Sequence, residues 1–333
     1  MFTAESALFA SRAVAQSAPV EIKKDVVYAT HDGVPLKGDL YLPVSAGPHP
    51  ALMFIHGGAW KVEAKEMYGP SWGPYLAARG YTVFAIDYRL STATQHTWPQ
   101  VLLDCKAALQ YLRGNASALG VDPERIGVGG DSAGGQLSSM LTLTQDWPEF
   151  ANRYPEDDFS KVSTKVRLAI PAYGVFSMPT WWAWTKEGFK PGEIEYMALE
   201  ELFGSTPFEA RAAYFQASPI NYVRDGALSL GRLALPNAGL KVPWFVTWGT
   251  EDPIVPAEGQ SLVFVKALEE AGADVTAVPV PGVGHFWFKC ELTGKSGLPL
   301  GCEVKEGNTV VCPGATPNDF ICAKLLEFLA KNL

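Results

Sequence analysis

Residues Val128-Gly129-Gly130-Asp131-Ser132-Ala133-Gly134-Gly135 decide the fold. Within them, Gly130-Asp131-Ser132-Ala133-Gly134 matches Gly-x-Ser-x-Gly. A serine lifted clear of the backbone at a sharp strand-to-helix turn needs residues two before and two after it that carry no side chain. A chain with 32 glycines produces some such matches by chance, so the flanks carry the weight. Arg125-Ile126-Gly127-Val128 reads as a short buried strand. Ala133 to Thr144, with Leu137, Met140, Leu141 and Leu143, reads as a helix. Strand, tight turn and helix form the setting in which this motif presents a nucleophile.

Outward from that turn, strand-like runs recur at 26–28, 36–42, 51–55, 82–86, 166–170, 244–248 and 275–280. The first two alternate in polarity and suit an antiparallel edge; the later ones are continuous apolar runs, as in strands covered on both faces. Helical patterns lie between them at 75–79, 98–113, 256–271 and 319–329. Strands alternating with helices predict an α/β protein with a mostly parallel central sheet flanked by helices. The stretch 176–240 breaks the alternation: it is rich in aromatics, Pro and Gly, too long for a bare loop, and predicts a helical cap insertion. The expected organisation is an N-terminal arm at 1–20, a core from 21–175 and 241–333, the cap at 176–240, and a cysteine-containing insertion at 289–317.

A serine hydroxyl needs a base. Of five histidines, His31 precedes an Asp32-Gly33 turn and is expected to be solvated, His49 sits between prolines, and His96 lies in a polar loop. His285 lies in Pro281-Gly282-Val283-Gly284-His285-Phe286, directly after the last expected core strand, late enough in the chain to follow both nucleophile and acid. The acid that would orient it is sought in Gly249-Thr250-Glu251-Asp252-Pro253, where Asp252 is preferred to Glu251. The order Ser132, Asp252, His285 is the one this architecture requires. Ile55-His56-Gly57-Gly58-Ala59-Trp60 follows another buried strand, and its glycines allow backbone amides to turn toward a developing oxyanion. His56 is expected to brace that loop rather than act as the base.

His56-Gly57-Gly58-Ala59-Trp60 together with Gly130-Asp131-Ser132-Ala133-Gly134-Gly135 resembles the hormone-sensitive-lipase group of esterases within the α/β-hydrolase superfamily. It is most similar to the His-Gly-Gly-x-Trp branch that includes feruloyl-esterase-like and kynurenine formamidase-like enzymes. Asp87-Tyr88-Arg89-Leu90 and Ser218-Pro219-Ile220-Asn221-Tyr222 also fit, so the likeness runs from about Asp39 to Phe286. The resemblance implies an α/β-hydrolase fold, Ser132 as nucleophile, His285 as base, Asp252 as its partner, and Gly58, Ala59 and Ala133 as oxyanion donors. No cofactor is expected, and the cysteines, which form no Cys-x-x-Cys pair, predict no metal site. The expected activity is cleavage of a small-molecule carboxylic ester through an acyl-enzyme; amide hydrolysis and a catalytically inactive binding module are the alternatives. Trp60, Phe286 and Trp287 are candidates for contact with substrate.

Composition bounds the rest. The 333 residues are 47% hydrophobic and 19% charged, with net charge −8. No basic run favours nucleic acid or an anionic surface, and no apolar stretch reaches the ~20 residues of a membrane span. Cys302 and Cys312 lie symmetrically about Gly307, which predicts a hairpin and a Cys302–Cys312 disulfide, with Cys290–Cys322 as a second pairing. A disulfide favours an oxidising compartment, whereas the absence of a signal-like N-terminus favours the cytoplasm. The compartment therefore stays open, as does homodimerisation.

Overall fold

The computed structural model describes residues 19–69, 71–151, 153–224, 238–288, 303–305, 309–311 and 317–333. The Ser132 turn joins the centre of a large sheet to a buried helix. The sheet strands are β1 (Val20–His31), β2 (Val34–Pro43), β3 (His49–Ile55), β4 (Thr82–Ile86), β5 (Val121–Asp131), β6 (Ala169–Ala172), β7 (Trp244–Gly249) and β8 (Val275–Val280). Their order is β1-β2-β4-β3-β5-β6-β7-β8. β1, β2 and β4 pair antiparallel; every pairing from β4 through β8 is parallel. The alternating segments thus form the antiparallel edge, and most of the continuous apolar runs form the covered centre, where Ala51 to Ile55 are fully buried; the run at 275–280 instead forms the opposite edge strand β8, with Ala277 and Pro279 exposed, because no ninth strand covers it in this sheet among the described residues.

The helices are α1 (Trp72–Ala77), α2 (Gln100–Gly114), α3 (Ala116–Leu119), α4 (Ala133–Thr144), α5 (Met178–Gly188), α6 (Ile194–Phe203), α7 (Arg211–Gln216), α8 (Pro219–Arg224), α9 (Ser261–Glu270) and α10 (Pro317–Asn332). α2 buries Val101, Leu102, Cys105, Ala108, Leu109 and Leu112. Every residue of α4 is buried, because it lies against β5 and β6 and is covered by α2 and α8. The described part of 176–240 holds α5 to α8, a short 3₁₀ turn and no strand. Before α10, β9 (Glu303–Lys305) and β10 (Thr309–Val311) form an antiparallel pair whose register is symmetric about position 307, the hairpin that the cysteine spacing predicted. Cys290, Cys302 and Cys312 lie outside the described residues, as does the arm up to residue 18.

The sheet's parallel registers bring one set of strand ends together. Ile55 pairs with Gly130, Asp131 with Ala172, and Ala172 with Thr247, while β7 and β8 end side by side at Gly249 and Val280. Loops leaving the carboxyl ends of parallel strands gather in one crevice, the usual ligand position in open α/β sheets.

One sequence expectation fails at the carboxyl end of the edge strand β1. His31 is fully buried, not solvated. Its Nδ1 lies 2.8 Å from Asp104 Oδ1 and its Nε2 2.9 Å from Asp157 Oδ2. Arg89 donates to both oxygens of Asp104 and to Asp32, and the Tyr154 ring stacks on His31 at 3.7 Å. The turn beside Asp32-Gly33 is capped by this cluster, which ties β1 to α2 and to the 154–160 loop.

Candidate active site

Ser132 sits between β5 and α4 at φ 53° and ψ −116°, a strained conformation for a residue with a side chain. The turn presses against β3. A Cβ on Gly134 would lie 1.9 Å from the Ile55 carbonyl oxygen, and one on Gly130 would lie 2.5 Å from it. Both motif glycines are therefore demanded by the close approach of strand and turn. Beneath them, Tyr68 donates to Asp131 Oδ1 at 2.7 Å and to the Ile55 carbonyl at 3.1 Å, linking the turn to β3. Burial first, and then the neighbouring Asp131, raise the Tyr68 pKa well above its ordinary value, so this hydroxyl stays a donor.

The loop after β3 takes three left-handed residues in succession: Gly58 (φ 81°), Ala59 (52°) and Trp60 (58°). Lys61 and Val62 amides donate to the Gly58 carbonyl at 2.9 and 3.0 Å, which closes the turn. A side chain at Gly58 would meet the Val62 carbonyl at 2.2 Å. Tyr88 donates to the His56 and Gly57 carbonyls and its ring stacks on the His56 imidazole at 4.3 Å; His56 is part of the brace. Trp60 Nε1 donates to Gln136 Oε1 at 3.1 Å, fastening the loop to α4. The Gly58 and Ala59 amides make no hydrogen bond among the described residues. Ala133 is the first residue of α4, and a helix's first amides lack intrahelical partners.

β7 and β8 deliver the acid and the imidazole. Asp252 Oδ1 accepts the Ile254 and Val255 amides, each at 2.9 Å, which fixes the carboxylate ahead of Pro253. Asp252 Oδ2 lies 2.6 Å from His285 Nδ1. Glu251, the alternative acid, is exposed. An ionised carboxylate only accepts, so Nδ1 carries a proton. Nε2 is buried without a hydrogen-bond partner. It is not bonded to Ser132 Oγ in this structure; the two residues line the same cavity, and such contacts commonly tighten when substrate binds. The Tyr173 ring packs 4.4 Å from the imidazole, and its hydroxyl accepts the Phe288 amide, which anchors the segment leaving His285.

The shared cavity measures about 110 Å³. Gly58, Ala59 and Trp60 form one wall, Val175 and Trp181 another, and Phe286 stands half-exposed at φ 66° beside His285. Trp287 does not reach the cavity: it is buried against Tyr173 and Phe288, because it follows Phe286 on the opposite side of the chain. Trp98 packs between Phe150 and Phe203, also away from Ser132. Ile194, Glu195 and Ile254 join the lining without any local signal in the sequence, since helix packing carries them there. No group of three potential metal ligands occurs among the described residues, and none of their helices is long and apolar enough to cross a membrane.

The BD-FAE family model matches residues 38–268. The probable carboxylic ester hydrolase LipM of Mycobacterium tuberculosis is 31% identical over 67% of this chain and 46% of its own length. The chain spans about half the length of these curated relatives. Among solved structures, a thermophilic esterase from the Planctomycetes species Thermogutta terrifontis, Est2, superposes with a TM-score of 0.62 at 26% identity, over 95% of this chain and 92% of that one. A truncated carbohydrate esterase from gut microbiota gives 0.64 at 25% identity, over 81% and 91%. The fold is that of the α/β-hydrolases, and the family match contains the loop at Gly58, the Ser132 turn and the strand leading to Asp252: the chain belongs to the BD-FAE family, within the α/β-hydrolase esterases.

Proposed function

We propose that this protein is a serine hydrolase that cleaves small-molecule carboxylic esters through an acyl-enzyme. The observation that carries the reading is the His285–Asp252 pair, whose Nε2 has no hydrogen-bond partner, with His285 and Ser132 lining the same cavity. Ser132 Oγ attacks the ester carbonyl as Nε2 takes its proton. The oxyanion forms beside the unengaged Gly58 and Ala59 amides and the amide of Ala133. Collapse expels the alcohol, protonated from Nε2; water, deprotonated by the same nitrogen, then releases the acid and restores Ser132. Asp252 keeps the imidazole in the productive tautomer and stabilises its charged form. The left-handed backbone from Gly58 to Trp60 is strain held in advance, so the donors need no reorganisation during reaction.

Trp60, Trp181, Val175 and Phe286 give the cavity an apolar, aromatic lining, and about 110 Å³ suits a small acyl group. The names of the relatives, esterases and ester hydrolases, support ester over amide. Steady-state kcat/KM on a p-nitrophenyl short-chain ester and the matched p-nitroanilide tests this. The ester is expected to be turned over at least a hundredfold faster; an anilide equal to it would make the enzyme an amidase.

A further inference from the structure

A second hollow, about 450 Å³, opens on the face of α5 turned away from the Ser132 cavity. The two share no lining residue: Trp181 borders the reaction cavity, and its neighbour Trp182 borders the groove. Pro179, Pro207, Phe208, Phe215 and Arg211 complete the walls that matter. Phe208 is 76% exposed and Phe215 38% exposed, and the Phe208 ring meets Trp182 edge-on at 5.6 Å. Single exposed apolar side chains need no explanation, but aromatics gathered along one groove mark a binding surface. The volume falls within the range of small-molecule sites.

The groove carries one charge of distinctive character. Arg211 is exposed on its wall and makes no hydrogen bond or ion pair among the described residues. Of the carboxylates beside the groove, Glu209 is occupied by Ser205 and Thr206, and Glu200, which accepts the Trp182 Nε1–H, is paired with Lys186. In a chain of net charge −8, an unpaired guanidinium beside three aromatic rings selects for an anion with a flat apolar body. A guanidinium fork matches a carboxylate in geometry, while the rings take an aryl group edge-on or stacked. We infer that this groove is an accessory site for small arylalkanoate anions, with the aryl ring against Phe208 and Trp182 and the carboxylate on Arg211. The inference is independent of ester hydrolysis, since no group of the Ser132 cavity takes part.

Isothermal titration of the full chain with 3-phenylpropanoate, its neutral isostere 3-phenylpropanamide, and propanoate provides the test. The acid is expected to saturate and to bind on the order of tenfold tighter than the amide, with propanoate weaker still. Arg211→Gln should bring acid and amide to the same affinity; Phe208→Ser should weaken both. Both side chains are exposed, so unchanged melting curves are expected to accompany the loss. The proposal is overturned if the acid fails to saturate below about 10 mM, if acid and amide bind alike to the unaltered protein, or if Arg211→Gln leaves the acid's affinity unchanged. The last result would move binding to another place on the molecule.

Discussion

His285 and His31 both have buried imidazoles held by carboxylates, and the proposed chemistry uses only one of them. His285 gives Nδ1 to Asp252 and leaves Nε2 unbonded on a cavity. His31 has a carboxylate on each nitrogen, Asp104 and Asp157, with a tyrosine ring stacked over it. Two acceptor-only partners require two N–H donors, so His31 is held as an imidazolium, whereas His285 has one carboxylate partner and one nitrogen without a hydrogen bond. A His–Asp pair is therefore not a catalytic signature in itself. What separates the two is a ring nitrogen without a hydrogen bond on a histidine that lines a cavity.

The largest effects should fall on the His285 side. Ser132→Ala is expected to lower ester turnover by about 10⁶, and Asp252→Asn by about 10⁴, through loss of the productive tautomer. Circular dichroism and melting temperature should change little for either. An Asp252→Asn enzyme with near-normal rate would erase the proposed distinction between the two pairs. Gly58→Ala comes next. A methyl 2.2 Å from the Val62 carbonyl, at φ 81°, must displace the loop, and a drop in kcat of about 10²–10³ is expected, comparable to losing an oxyanion donor.

The His31 side should respond in stability rather than rate. Burial disfavours the charged imidazole, but the hydrogen bonds and charges of Asp104 and Asp157 outweigh it, and the pKa is raised from 6.5. A raised pKa in the folded state stabilises fully below about pH 6.5 and loses that contribution as pH climbs through the raised value. Arg89, Asp32 and Tyr154 complete the charged surroundings. His31→Gln should cost about 3 kcal/mol in chemical denaturation at pH 6, with a smaller deficit at alkaline pH, while kcat of the folded variant stays within about twofold. A variant as stable as the parent at pH 6 would show that the cluster is not a clasp.

The smallest effect is expected at Lys106, whose ammonium donates to the Thr144 and Gln145 carbonyls at the far end of α4. Burial lowers its pKa from 10.5 to about 7, with Asp146 opposing. The unfolded chain thus binds one more proton between about pH 7 and 10.5, so this group makes stability rise with pH across that window. Lys106→Met should flatten that slope and change stability at pH 7 by less than about 1.5 kcal/mol. An unchanged slope would assign it to other groups.

The same contrast explains what could be read from the sequence. Gly130 and Gly134 are local consequences of one sharp turn, so the candidate nucleophile Ser132 is marked within five residues. Asp252 and His285 follow successive apolar strands, and a parallel sheet delivers such positions to one edge. His31 gave no sign of its burial because its partners lie 73 and 126 positions away on α2 and a surface loop, with no shared periodicity. Trp287 looked like cavity lining by adjacency to His285; the left-handed turn at Phe286 sends the two rings to different sides. Ile194 and Glu195 reach the cavity through helix packing in the cap, which no short-range pattern encodes.

Mass spectrometry of the intact protein after exposure to a fluorophosphonate probe tests the central claim most directly. One adduct per chain is expected, mapped to Ser132, absent from Ser132→Ala and formed far more slowly by His285→Ala. A folded protein that takes no adduct, or takes it at another residue, would contradict the assignment of Ser132 as the activated nucleophile.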